Sequence, residues 1–470
     1  MTSPLRLSPD RLMPVDKGSG TIARRLFERV EKLPILSPHG HTDPAWFAND
    51  APFDDATSLF LWPDHYVLRM LYSQGISFER MGLAPKGGKA DADRRAAWRL
   101  FASHYYLFRG TPSRAWLDHA FATVFGIDVR LEAATADHYY DAIGEALQKP
   151  EFRPRALFKR FNIEALATTE GAGDPLEHHR KIQKEWDGRV ITTFRPDGVV
   201  NPELDGFAEN MAELAEATKE NVSAWRGYLK ALRMRREYFR RVGKATATDH
   251  GHPTALTCDL APAECQKLLD GALKGKLTAA EAELFRGQML TEMALMSCED
   301  GMTMQVHPGS YRNHNPKLYA DYGPDRGADI PVRLNYAESL KPLLDKVGNR
   351  TDLTVILFTL DESNYARELA PLAGHYPCLR LGPPWWFHDS PEGMMRFRRN
   401  TTETAGFYNT VGFNDDTRAF LSIPARHDVA RRVDCAYLAE LVATHRLDES
   451  EAAEIAVDLA YNLPKRAYKL

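Results

Sequence analysis

The chain has 470 residues, 44% of them hydrophobic and 26% charged, with a formal net charge of −4. That length suits two or three domains or one elaborated barrel, and the composition is ordinary for a soluble globular protein. The charge balance gives no reason to expect nucleic acid or an anionic membrane as a partner, and no stretch reaches the roughly 18 uncharged apolar residues of a membrane span.

The N-terminal run "MTSPLRLSPDRLMP" has no signal-peptide apolar core. Cys258, Cys265, Cys298, Cys378 and Cys435 are scattered, and no pair has CxxC spacing. A reduced cytoplasmic protein without a cysteine zinc site is expected.

Along the chain, "TIARRLFERVEKL" (21–33) places Ile22, Leu26, Val30 and Leu33 on one helical face, and Pro34 stops the helix. "ILSPHGH" (35–41) then runs from apolar to polar, as a buried strand with a polar end would. The same pattern recurs in "ALATTEG" (165–171), "VITTFRPDG" (190–198), "GKATATDHG" (243–251), "MTMQVHPG" (302–309), "LTVILFTLDE" (353–362), "CLRLGPPWWF" (378–387) and "TVGFNDDTR" (410–418). Nearly all the segments between these strands read as helices. Residues 204–241 form one long amphipathic pattern, whose basic run "RMRREYFRR" (233–241) reads as a solvated helix end. Residues 277–296 open with a Thr278–Glu281 capping box, and 390–409 read as another helix.

Strands alternating with helices predict parallel βαβ units, and eight of them predict an α/β fold of the (β/α)8 TIM-barrel type. No GxGxxG follows an early strand, which weakens a doubly wound open sheet. The long gap after the first strand predicts a helical insertion. The expected division is therefore 1–41 (N-terminal helix and first strand), 42–162 (mostly helical insertion capping the barrel mouth) and 163–470 (the remaining barrel and C-terminal helices). The aromatics of 97–127 are expected to be the insertion's own core. "APKGGKADADRR" (84–95) is the expected mobile loop. It fails the phosphate-loop pattern, because Gly88 stands where lysine should be.

In a barrel the chemistry gathers at the C-terminal ends of the strands. His39 and His41 close the first strand. An HxH pair at a strand end projects both imidazoles to one side, and two neutral imidazoles are good ligands for a divalent ion. Asp415 and Asp416 close the last strand, a neighbour of the first in a closed barrel, so a carboxylate can join them. The bland reading has the histidines bonded to loop backbone and the aspartates capping a helix. Arg195, Asp249, His250 and His307 end strands three to five. Arg312 and Arg418 follow closely on His307 and Asp416. Arginine forks bind carboxylates, so an anionic substrate is expected. No GxSxG and no Cys/His pairing suggests a covalent nucleophile. Proton transfer or metal-bound water is the chemistry that remains.

HxH on strand one with aspartate on strand eight resembles the amidohydrolase superfamily. The finer motifs resemble the uronate (glucuronate) isomerase family within it. They are "HGH" (39–41), "DHYVLRML" (64–71), "TTEGAGDPLEHHRKI" (168–182), "FRPD" (194–197), "TDHG" (248–251), "HPGSYRNHN" (307–315), "WWFHDSPEGM" (385–394) and "DTRAFLSIPARHDVARR" (416–432). The resemblance implies conversion of D-glucuronate to D-fructuronate and of D-galacturonate to D-tagaturonate through a cis-enediol. It implies one divalent metal, zinc by expectation, on His39, His41 and Asp416. Asp416 is preferred to Asp415 because it stands two before an arginine, here Arg418. It also implies acid/base work by Tyr66, Asp416 and His307, with Arg195, Arg312, Arg418, Asp249, Trp385 and Trp386 around the substrate. A cation beside Tyr66 would be needed to lower its phenol toward neutrality.

The alternative is a metal-dependent hydrolase of the same superfamily, a lactonase, esterase or amidase. It usually needs further ligands, and "LDES" (360–363) at strand six offers no histidine. A non-catalytic uronate-binding protein would not need HxH, Asp416 and Tyr66 together. A small-molecule partner is expected, without nucleic acid or membrane, and the barrel's size is compatible with a homo-oligomer.

Overall fold

A computed structural model describes residues 3–88 and 93–470. Part of the expected mobile loop, 89–92, lies outside the described residues. The framework is a seven-stranded parallel sheet in chain order: β1 (Ile35–Ser37), β2 (Ile163–Gly171), β3 (Val190–Arg195), β4 (Ala247–His250), β5 (Thr303–Val306), β6 (Val355–Leu357) and β7 (Leu379–Leu381). Every pairing in it is parallel. The strands are apolar on both faces because helices cover one side and the barrel interior the other.

The eighth expected strand is in place but forms no regular ladder. Thr410 bridges Leu381 in parallel. At the other edge the His41 N–H donates to the Thr417 carbonyl (3.0 Å), and the Ser37 hydroxyl donates to Asp415 Oδ1 (3.0 Å). The segment thus spans from β7 to β1 and closes a TIM-barrel-like ring. Its backbone explains the missing strand. Gly412 sits at φ 75°, where a Cβ would lie 2.3 Å from the Leu459 carbonyl oxygen, and Asp416 sits at φ 33°. Left-handed residues at both places break the extended run.

β1 also ends sooner than expected, so His39 and His41 lie in the loop beyond it rather than on the strand. Strand alternation therefore does not aim them. The bond from His41 to Thr417 does.

Between β1 and β2 the chain is helical, including Pro44–Asn49, His65–Tyr72, Arg94–Ser103, Pro112–Thr123 and Ala136–Leu147. Trp98, Phe101, Tyr105, Phe108 and Phe121 are buried together, so these aromatics form a core. That cluster also takes in Ile35, Ile163 and Leu166 of β1 and β2. Trp116 is the exception: it packs with Phe413 and Val429 under the barrel's last segment.

Residues 204–241 are two helices, Phe207–Thr218 and Trp225–Val242, not one. Lys219 takes a left-handed conformation (φ 58°), and the Asn221 side chain accepts the Ser223 N–H (3.1 Å), an Asx turn that competes with helix. The basic run is not simply a solvated end. Arg235 and Arg236 fall on the same face as Leu232 and Phe239 and are buried. Arg236 bonds Asp300 in a fork (2.6 and 2.9 Å) and Ser297 (2.9 Å), whereas Arg235 donates to the Ala172 and Asp174 carbonyls. Thr278 and Glu281 form the expected capping box of Ala279–Asp300, and the helix expected at 390–409 is Pro391–Ala405. All five thiols are free. No helix among the described residues is long and apolar enough to cross a membrane.

Candidate active site

A cavity of about 730 Å³ opens at the C-terminal ends of the strands. His39, His41, Tyr66, Arg195, Asp249, His307, Arg312, Trp385, Trp386, Asp416 and Arg418 all line it, whereas His250 and Asp415, also named at strand ends, do not.

At its centre His39, His307 and Asp416 offer donor atoms that lie within 4.8 Å of one another. His41 Nε2 approaches Asp416 Oδ1 at 3.2 Å, and His39 Nε2 at 3.7 Å. Burial drives His39 down to about 4, so its imidazole is neutral at pH 7. Burial alone would raise the Asp416 carboxyl, but His39 and His41 outweigh it and hold the group far below the usual range. His307 Nε2 is buried with no hydrogen-bond partner. The His39 and His41 imidazoles beside an ionised Asp416 carboxylate are a donor set that fits a divalent ion.

Asp415 points elsewhere. It accepts from Ser37 and from His427 Nε2 (2.9 Å), tying the last segment to β1 and to the helix Ile423–Ala443. The two adjacent aspartates thus divide, one into the cavity and one into the frame. The positive φ of Asp416, and of Trp386 (54°), are strained conformations at the cavity wall.

His307 Nδ1 bonds Asp249 Oδ1 at 2.6 Å. Its ring is clamped by Phe358 (centroids 3.8 Å apart, stacked) and Trp385 (4.8 Å). Nδ1 donates to the Asp249 carboxylate, and Nε2 is left without a hydrogen-bond partner. Arg195 lies behind: Nη1 is 3.1 Å from Asp249 Oδ2 and Nε donates to Asp197 Oδ2 (2.7 Å). Burial would raise Asp249, but Arg195 and His307 pull it well below 3.8. Arg195 is therefore engaged by two carboxylates, unlike the open carboxylate clamp expected of it. Gly251 makes room for it, since a Cβ there would lie 2.2 Å from Arg195 Nη2.

Tyr66 stands in the first turn of His65–Tyr72, capped by Asp64. Its hydroxyl donates to the Trp386 carbonyl (3.1 Å) and lies 3.4 Å from Asp389 Oδ2. The expected cation is present, because Arg426 binds Asp389 at 2.5 Å and stacks 3.6 Å over Trp116. It does not win. Burial first, and Asp389 second, raise the phenol well above 10, so Tyr66 is a neutral O–H at pH 7.

Arg312 and Arg418 sit nearer the rim, about a third exposed, paired with Asp329 (3.1 Å) and Asp325 (2.9 Å). Arg312 also lies 4.9 Å over the Trp386 ring. His65, Asp325, Asp329 and Arg426 line the cavity, and Asp389 stands behind Tyr66 and Arg426; sequence reasoning singled out none of them. Arg426 carried a readable signal: it is a cation on the otherwise apolar face of a helix that includes Ile423, Val429 and Ala430.

Fold and site together define the class: a TIM-barrel-like enzyme whose polar groups converge at the strand ends on a metal-type His/Asp cluster. Residues 18–468 match the sequence model of the glucuronate isomerase family. The chain is 64% identical over 471 residues to a uronate isomerase of Phenylobacterium zucineum, covering all of this chain and 98% of that one. The crystal structure of glucuronate isomerase from Caulobacter crescentus superposes with a TM-score of 0.98 at 60% identity, over 99% of this chain and 97% of that one. A uronate isomerase from Thermotoga maritima does so at 0.91 and 28%, over 98% and 99%. The chain belongs to the glucuronate isomerase family.

Proposed function

We propose that this enzyme interconverts aldose and ketose hexuronates, D-glucuronate with D-fructuronate and D-galacturonate with D-tagaturonate, by moving a proton between C2 and C1 through a cis-enediol. The observation that carries the reading is the pairing of an unmet basic nitrogen, His307 Nε2, with a neutral phenol, Tyr66, in one cavity rimmed by arginines.

His307, oriented by Asp249 and clamped by Phe358 and Trp385, takes and returns the carbon-bound proton. Tyr66 supplies a proton to O1 as the enediol forms and takes the O2 hydroxyl proton back as the enediol collapses to the ketose. Arg312 and Arg418 each spend one guanidinium nitrogen on an aspartate, which leaves the rest of each fork for the substrate carboxylate. Arg195 keeps Asp249 ionised and so holds His307. Trp385 and Trp386 wall the sugar. A divalent ion, zinc in our reading, held by His39, His41 and Asp416, would polarise the sugar oxygens. Residues 42–162 act as a cap that brings Tyr66 over the barrel mouth. The enzyme works in the cytoplasm on a small molecule, as a monomer or homo-oligomer. The hydrolase reading is disfavoured by family membership and by a strand six that ends without a histidine.

Incubation with each uronate in D₂O, followed by proton NMR, tests the reaction. The 2-keto sugar acids are expected, with deuterium entering at C1 if the proton on His307 exchanges before its return. If neither sugar changes, even with Zn²⁺ or Mn²⁺ supplied, the substrate assignment fails. Gly251→Ala tests the role of Arg195. Its methyl displaces the guanidinium, and kcat/KM is expected to fall by up to about 10²-fold, as misplaced catalytic groups do, with the thermal midpoint near wild type. Unchanged kcat/KM would show that Arg195 positions nothing.

A further inference from the structure

His250 ends β4 beside Asp249 but points away from the cluster of His39, His307 and Asp416. Its Nε2 faces the Thr248 hydroxyl (3.0 Å), and its Nδ1 is buried with no partner. His252, two residues on, is 3% exposed, and neither ring nitrogen has a partner. Asp197, from the start of the short helix after β3, brings Oδ1 to 4.0 Å from His252 Nε2. Donor atoms of all three residues lie within 4.8 Å of one another.

We infer that Asp197, His250 and His252 form a second divalent-metal site, in the side wall of the cavity, for a nitrogen-preferring ion such as Zn²⁺. Two imidazoles and one carboxylate leave a coordination position for water, whereas Mg²⁺ and Ca²⁺ prefer all-oxygen shells. The Thr248 contact holds His250 by Nε2 and leaves Nδ1 as the nitrogen that can face an ion, as outer partners of metal-bound histidines do.

Asp197 Oδ2 is taken by Arg195 (2.7 Å), but Oδ1 receives only a 3.2 Å contact from the Gly251 N–H, which it shares with Oδ2. The positive charges facing the site are each paired: Arg195 with Asp197 and Asp249, Arg236 with Asp300, and Arg286 with Glu283. Zn–N and Zn–O bonds of about 2.0–2.2 Å require His252 to approach Asp197 by less than about an ångström. Asp197 and Gly251 line the cavity, which gives an ion a path in. The site does not depend on the reaction proposed above.

The test is stoichiometry. The full chain is stripped with a chelator, equilibrated with excess Zn²⁺, passed through a desalting column and assayed for zinc by plasma mass spectrometry. Two equivalents per chain are expected for wild type, and one each for His252→Gln and His39→Gln. A wild type that retains only one, or a His252→Gln variant that retains two, overturns the site. Zinc-edge anomalous scattering from soaked wild-type crystals covers the case of a variant that does not fold. A peak between Asp197, His250 and His252 supports the site, and no peak there refutes it.

Discussion

Tyr66→Phe is expected to lower kcat by about 10²–10⁴-fold, the usual worth of a positioned acid or base, with KM changed only a few-fold. The reason lies in what surrounds the phenol. A tyrosine serving as base needs its pKa lowered toward 7, and Arg426 is close enough to contribute. But burial raises the phenol most, and Asp389, which contacts both groups, outweighs the arginine. The hydroxyl therefore keeps its proton until an oxyanion appears beside it, and only then does it donate. That interaction is stronger in the transition state than in the ground state, so its loss falls on kcat. The structural cost is small. Phenylalanine keeps the ring contacts with His65 and Trp116 and gives up one hydrogen bond to the Trp386 carbonyl, worth about 1 kcal/mol. Steady-state kinetics and a thermal melt separate the two. If kcat stays within about tenfold of wild type, Tyr66 is not the proton donor.

Most of the fold was legible because its signal is local. Each strand is a short apolar run that ends in polar residues, and a barrel puts those ends on one face. Where the reading slipped, a tertiary or side-chain effect overrode the pattern. The 204–241 amphipathic stripe continues through Lys219–Ser223, but Asn221 turns the backbone there. The eighth strand has the composition of a strand, and its geometry is set by Gly412 against the Leu459 carbonyl, a contact 47 residues away in sequence. Arg235 and Arg236 read as solvated because charge usually is. Their partners, the Ala172 and Asp174 carbonyls and Asp300, lie on other elements.

The site divides in the same way. His39, His41, Asp249, His307 and Asp416 could be listed from strand ends alone, since topology brings those ends together. Which of them pair could not. The Asp249–His307 bond, the diversion of Arg195 onto two aspartates and the insertion of Asp389 between Arg426 and Tyr66 each depend on side-chain directions that spacing does not encode. The reversal of the expected Tyr66 shift follows from burial and from the last of these, because the motif that holds Asp389, "WWFHDSPEGM", does not say that its carboxylate lies beside the phenol.

Glu170, in the motif "TTEG" on β2, makes the case for a second large effect, this time on stability. It is 9% exposed, and burial raises its carboxyl from 4.5 to about 7. The hydroxyls of Thr168 and Thr192 donate to it and pull the other way, but less strongly. The folded chain thus binds this proton more tightly than the unfolded chain. Between pH 4.5 and about 7 the native state retains a proton that the unfolded state has released, so this group costs stability progressively as pH rises and levels off above 7. At about 1.4 kcal/mol per unit the full cost is roughly 3 kcal/mol. Glu170→Gln keeps an acceptor for both threonines and removes the ionisation. It is therefore expected to match wild type near pH 4.5 and to exceed it by roughly 3 kcal/mol at pH 8. His65, His179, His250 and His252, lowered by burial to about 3 or 4, act in the opposite sense. Each destabilises the fold as pH falls below 6.5, so wild type alone has a stability maximum that hides the Glu170 contribution. His65, His250 and His252 are unchanged by the substitution and cancel in the difference between the two proteins, whereas His179, with Nε2 3.8 Å from Glu170 Oε2, is lowered by burial to about 4 and is unprotonated in the fold at both pH 5 and pH 8. Urea unfolding of both at pH 5 and pH 8 reads that difference directly. A variant no more stable than wild type at pH 8 would mean that the threonine hydroxyls fully stabilise the carboxylate, and that Glu170 is ionised in the fold.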